Sequence, residues 1–372
     1  MLIQLAIIGL LAALLPLSIV WVSADANKFR KLAAVTLFLT FDLIVFGGYT
    51  RLTDSGLGCP DWPGCYGQAN PFQAHSDISA AQSAMPTGPV TVFKAWVEMI
   101  HRYLAMSVGV LIVSLMAIAW WRWIKSSRKD RRFDPWLPTA LFFMVCLQGA
   151  FGAWTVTLKL QPIIVTGHLL LGLSLLAMLA WLNAQQRSPA MPSAAASTLR
   201  APIVVASALL VVQLALGGWV STNYAAVACT DFPLCQGSWW PEMDFNNGFT
   251  IWRKLGMTAD GSYLPFAALT AIHLVHRSFA FVVASLLVWV GWRALHIDDL
   301  KPLARGLLIV LGLQMCTGLL TVYLQWPLAL AVMHNAGAAL LVGVVAMLNF
   351  RTRTLATKAP KFLPETLATT RP

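Results

Sequence analysis

The chain has 372 residues, of which 58% are apolar and 11% charged, with a mean hydropathy of +0.68. A soluble globular protein carries about 25% charged residues, so this chain lacks the polar surface to stay in water. At roughly 20 apolar residues per crossing, membrane spans leave no room for a separate soluble enzyme domain of ordinary size.

Nine apolar runs follow in chain order, at about 2–22, 31–50, 92–121, 136–158, 162–184, 201–221, 265–292, 303–323 and 327–350. Each is long enough to span as a helix, and none shows the short alternating pattern of a barrel strand. The predicted fold class is an all-α polytopic membrane protein. The first run has no basic segment before it and is followed by Lys28, Arg30 and Lys31, which reads as a retained span and not a cleaved signal.

Nine spans put the termini on opposite sides. Nineteen loop and tail Lys/Arg residues, including the cluster from Arg122 to Arg132 and the tail from Arg351 to Arg371, fall on one side. Only Arg51, Lys94, Lys159, Arg253 and Lys254 fall on the other. The positive-inside rule makes the first side cytoplasmic, with the C-terminus. Topology thus explains the formal charge of +11, and the basic residues are not read as a nucleic-acid surface. The two long loops, about 51–91 and 222–264, are expected outside.

An internal repeat emerges when those loops are compared. Gly47-Gly48 is matched by Gly217-Gly218, and at the same offset of 170 Cys59, Asp61, Pro63, Cys65 and Gly67 are matched by Cys229, Asp231, Pro233, Cys235 and Gly237. His101-Arg102 is answered by His276-Arg277, and Gln148, Gly152 and His168 by Gln314, Gly318 and His334. The expected organisation is an extra N-terminal transmembrane helix and linker (1–30), two repeated four-helix bundles (31–184 and 201–350) in parallel orientation, and a cytoplasmic tail (351–372).

Cys59 with Cys65 and Cys229 with Cys235 lie on the oxidising side, where disulfides are permitted, and each pair is expected to form one. A zinc site is a weaker reading, because five residues separate each pair and no His lies near either. Cys146 and Cys316, inside helices, read as packing residues.

Five histidines sit in apolar helices, where an ionisable group is a functional hypothesis by default. At 1.5 Å per residue, His101, His168, His276 and His334 lie roughly 9 to 17 Å below the outer ends of their helices and share one layer. Two imidazoles at equal depth on different helices of a bundle suit a flat iron macrocycle better than zinc. Glycines and alanines around His168 and His334 would let it approach. Arg102 and Arg277 could neutralise haem propionates, or snorkel or pair with a carboxylate.

The repeat breaks at Glu98, three residues before His101, where the second unit has His273. A carboxyl in such a place is costly if ionised and unpaired. Acid/base work near His101 and a salt bridge to Arg102 or Arg277 are both open readings. The reaction is expected in the first unit, and an electron-transfer or structural haem in the second.

The segments GGYTRLTDSGLGCPDWPGCYGQ, EMIHR, VTGHLLLG, IHLVHR and MHNAGAALL resemble the haem A synthase family of cytochrome oxidase assembly enzymes, from about Phe29 to Phe350. The resemblance implies an oxidoreductase of the bacterial inner (plasma) membrane that oxidises the C8 methyl of haem O to a formyl group. It implies that His276 and His334 are axial ligands of a resident haem b, that His101 and His168 line the haem O site with Arg102, and that Glu98 is catalytic. It also implies haem O synthase and an electron donor as partners, within membrane lipid. The oligomeric state stays open, a homo-oligomer included. Two alternatives compete: a di-haem b electron-transfer protein and a haem-handling chaperone or exporter.

Overall fold

The computed structural model describes residues 1–128, 130–187 and 193–353. The tail residues Lys358, Lys361 and Arg371 lie outside the described residues. Twelve α-helices occur among the described residues, with no strand beyond isolated bridges. Nine are long and apolar enough to cross a membrane. These are α1 (Leu2–Val22), α2 (Lys28–Leu52), α4 (Val92–Lys125), α5 (Trp136–Thr157), α6 (Pro162–Gln186), α8 (Arg200–Thr222), α10 (Phe266–Leu295), α11 (Lys301–Tyr323) and α12 (Leu328–Thr352). Each coincides with a predicted apolar run to within a few residues. The three short helices, α3 (His75–Ala84), α7 (Ala194–Ser197) and α9 (Phe245–Gly248), were not expected. They are too short for a span, and only α3 runs beyond a single turn. The protein is a multi-pass membrane protein.

Local chemistry fixes the helix ends. The side chains of Asn27 and Thr91 accept the N–H groups of Arg30 and Lys94 at the starts of α2 and α4, the usual role of an N-cap. Pro162 occupies the first position of α6, where its missing N–H costs nothing. The α5–α6 and α11–α12 connections use the same device. Lys159 and Leu160 in one, and Gln325 and Trp326 in the other, adopt positive φ. This lets the N–H groups of Leu160 and Trp326 close on Thr155 O at 2.8 Å and Thr321 O at 2.7 Å.

Helices α2, α4, α5 and α6 pack around Leu32, Leu111, Leu115, Leu141 and Leu179, and α8, α10, α11 and α12 around Leu210, Leu287, Leu307 and Leu348. Across the centre, α12 packs on α2 and α6, and α6 on α8. Leu173, Leu176 and Ala339 are buried there. Arg51 also ties the centre, donating to Ser221 O at 2.6 Å and lying 4.1 Å from the Tyr224 ring centre. Helix α1 packs on α4 and α2 from outside. Its Leu5 is buried with Cys59, Cys65 and Met99, whereas Leu2, Ile3, Leu15 and Trp21 are exposed, as lipid-facing residues would be.

Candidate functional site

Both long loops fold into the same knot above the bundle. Cys59 is bonded to Cys65 and Cys229 to Cys235. Within each ring one aspartate clamps the turn: Asp61 accepts the N–H groups of Tyr66 and Gly67 at 2.6 and 2.8 Å, and Asp231 those of Gln236 and Gly237 at the same distances. The N–H of Gly237 and then that of Gln236 hold the Asp231 carboxyl below the ordinary carboxylate value. Gly67 and Gly237 both have positive φ, which their lack of a Cβ permits at no cost. Cys146 and Cys316, read as packing residues within helices, are free and exposed on α5 and α11.

Each knot is bolted to the helix below it by the residues that the repeat offsets single out. Arg102 on α4 donates to Pro63 O at 3.2 Å and to Gly64 O. Arg277 on α10 donates to Asp231 O at 2.9 Å, Pro233 O at 2.7 Å and Leu234 O at 2.6 Å. Glu98 Oε2 accepts the Cys59 N–H at 2.8 Å, and its other oxygen forms a buried ion pair with Arg102. His273 Nδ1 accepts the Cys229 N–H at 3.3 Å. Of the two open readings of Glu98, the geometry displays the ion pair to Arg102. The sequence could not show that both groups also face the loop, because the partners lie 38 and 39 residues away and meet only once the knot has formed.

The four histidines assigned to one layer lie in pairs on helices that are not packed side by side: α4 and α6 meet through α2 and α5, and α10 and α12 through α8 and α11. His101 on α4 is within electrostatic reach of His168 on α6, and His276 on α10 of His334 on α12. Each imidazole lies against a glycine of a neighbouring helix. A Cβ at Gly47 would sit 3.0 Å from Cε1 of His101, at Gly152 3.3 Å from that of His168, at Gly217 2.9 Å from that of His276 and at Gly318 3.0 Å from that of His334. Any larger side chain there would displace the ring. His276 and His334 both line one cavity, otherwise walled largely by apolar groups such as Leu214, Phe281, Met315 and Leu341. Nδ1 of His101 and Nδ1 of His168 are buried without a hydrogen-bond partner.

This donor set fits an iron porphyrin. It offers two imidazoles per half, close backbone approach through glycine, an apolar cavity around His276 and His334, and buried unpartnered ring nitrogens on His101 and His168, the features a porphyrin iron would need. The sequence did not assign a role to Gln148, Gln213 and Gln314, whose side chains contact His168, His276 and His334. The signal was present as a repeated Gln-x-x-x-Gly spacing.

Comparison with known proteins agrees with this architecture. A Heme A synthase of Shewanella oneidensis is 38% identical over 322 residues, covering 86% of this chain and 95% of that relative. Proteins of the same name from Sphingopyxis alaskensis and Caulobacter vibrioides are 33% and 29% identical, over 85% and 86% of this chain and 89% and 96% of their own lengths. Residues 30–346 match the family described as Cytochrome oxidase assembly protein, COX15-CtaA. That match omits α1 and takes in all or most of each other span, so this chain belongs to the COX15-CtaA family of cytochrome oxidase assembly proteins.

Proposed function

We propose that this protein is a haem A synthase that oxidises the C8 methyl of haem O to a formyl group for terminal oxidase assembly. The observation that carries the reading is the set of four imidazoles, each against a glycine, arranged as one pair per half. Relatives named Heme A synthase, matched over most of their length, support it. Two successive hydroxylations, each inserting one oxygen atom with loss of two electrons from the carbon to an external oxidant, would convert the methyl to an alcohol and then to a geminal diol, which loses water to leave the aldehyde.

The half spanning 31–184 is assigned the substrate. His101 and His168 bind the iron of haem O and orient its macrocycle. Glu98, one turn from His101, is the acidic group assigned to the reaction, where it stabilises developing charge or moves a proton. Arg102 contributes by holding Glu98 and the Cys59–Cys65 loop over the mouth of that site. The half spanning 201–350 is assigned the resident cofactor, whose iron His276 and His334 would hold. When bound, haem b would supply single-electron transfer. His273 accepts a main-chain N–H where the first half has a carboxylate, which is why the reaction is assigned to one half only.

The same reading places the protein in a bacterial inner membrane, with the disulfide loops in the periplasm and the C-terminus in the cytoplasm. An electron donor and a haem O synthase are its partners. The test is expression in a strain that makes haem O and no haem A, followed by extraction and chromatography of the haems. Formyl haem appearing with this protein supports the proposal; unchanged haem O overturns it.

A further inference from the structure

Three of the four imidazoles assigned to haem have the same kind of neighbour. Gln148, Gln213 and Gln314 stand four residues before Gly152, Gly217 and Gly318, the glycines that face His168, His276 and His334. Residues four apart share a helix face, so each glutamine lies one turn from the point of closest approach. Gln148 Nε2 donates to His168 O at 3.0 Å and lies 3.5 Å from its Nε2. Gln213 Nε2 donates to His276 O at 3.2 Å and lies 3.1 Å from its Nδ1. Gln314 Nε2 lies 3.2 Å from Nε2 of His334, whose Nδ1 lies 3.1 Å from Thr317 Oγ1. In all three glutamines Oε1 is buried and receives no hydrogen bond.

The fourth imidazole lacks this neighbour. His101 lies against Gly47, and the residue four before Gly47 is Leu43. An imidazole that binds iron through one nitrogen carries a proton on the other, and that N–H needs an acceptor. The spare oxygen of each carboxamide is such an acceptor, brought to the ring by rotation about the last side-chain bond. Leucine can offer none.

Resting on the reading that these imidazoles bind haem iron, we infer that Gln148, Gln213 and Gln314 are positioning residues that orient His168, His276 and His334 as ligands, whereas Leu43 leaves His101 weakly held. The second half then has two supported ligands and retains its haem. The first half has one, and releases what it binds, as a site that takes in substrate and discharges product must.

The test uses the full-length protein in detergent, loaded with iron protoporphyrin IX, with haem transfer to excess apomyoglobin followed by absorbance. Wild-type protein is expected to release haem in two phases, the fast one lost in His101→Ala and the slow one in His276→Ala. Loss of an outer-shell partner costs about tenfold to a hundredfold in metal affinity. Leu43→Gln is therefore expected to slow the fast phase about tenfold, and Gln213→Leu to speed the slow phase by a similar factor. Gln213→Glu, which keeps an acceptor oxygen, retains slow release. Wild-type protein that takes up no haem overturns the haem reading and this inference with it. A single phase, or two phases that neither substitution moves, overturns this inference alone.

Discussion

The main-chain N–H of Cys59 donates to Oε2 of Glu98 at 2.8 Å, so the carboxylate that stands where the second half has His273 is joined directly to the disulfide loop above it. Glu98 also pairs with Arg102, and both side chains are almost wholly buried, at 5% and 10% exposure. Removing one member of a buried pair strands the other, at a cost of about 3 to 5 kcal/mol.

Glu98→Ala is therefore expected to destabilise the first half by roughly that amount, while Glu98→Gln keeps an acceptor for Cys59 and costs less. Both are expected to abolish formyl haem and to leave haem bound in the second half. Thermal denaturation with haem extraction checks this; full turnover in Glu98→Gln would remove Glu98 from the reaction.

Each disulfide closes a ring with a sequence separation of 6. Chain entropy gives such a ring about 2 kcal/mol. Replacing Cys229 and Cys235 by serine is expected to lower the unfolding temperature and leave the Glu98–Cys59 contact and the product unchanged. Loss of product in that variant would tie the second loop to the reaction.

The fold was legible in the sequence because apolar length alone specifies a span, and the nine runs became α1, α2, α4, α5, α6, α8, α10, α11 and α12. The proximity of His101 to His168 and of His276 to His334 agrees with the expectation drawn from rise per residue. Other features depend on contacts distant in the chain. Leu5 of α1 is buried beside Cys59 and Cys65, and nothing in a uniformly apolar helix marks which residue docks. Arg102, read as reaching propionates or pairing with a carboxylate, pairs with Glu98 and also donates to carbonyls 38 and 39 residues away, contacts that exist only in the folded loop.

Gly312 and Gly318 lie on the same helix, but a Cβ at Gly312 would meet nothing within 4 Å, whereas one at Gly318 would crowd the His334 ring. Gly312→Ala is expected to be neutral or stabilising by up to about 1 kcal/mol. Gly318→Ala is expected to lower haem content in the second half. Absorbance of the purified variants checks both; equal haem content would mean that the glycine does not shape the site.

The Asp231 clamp predicts a pH response. Its folded-state pKa lies below the ordinary value of 3.8, held there by the Gly237 and Gln236 N–H groups. Its stabilisation is fully present above that value and is lost as pH falls through the lowered one. Hydrogen exchange at Gln236 and Gly237 is expected to lose protection in that acid range, and Asp231→Asn to remove the dependence on pH.

The most direct test of the paired-imidazole account is the low-spin haem signal of the purified protein loaded with iron protoporphyrin IX, read by electron paramagnetic resonance through alanine variants of His101, His168, His276 and His334. The account predicts two signals. Either first-half variant removes one, either second-half variant removes the other, and the double variant within a pair does no more than each single. Loss of one signal on mutating a histidine from each half, or signals indifferent to all four, would contradict it.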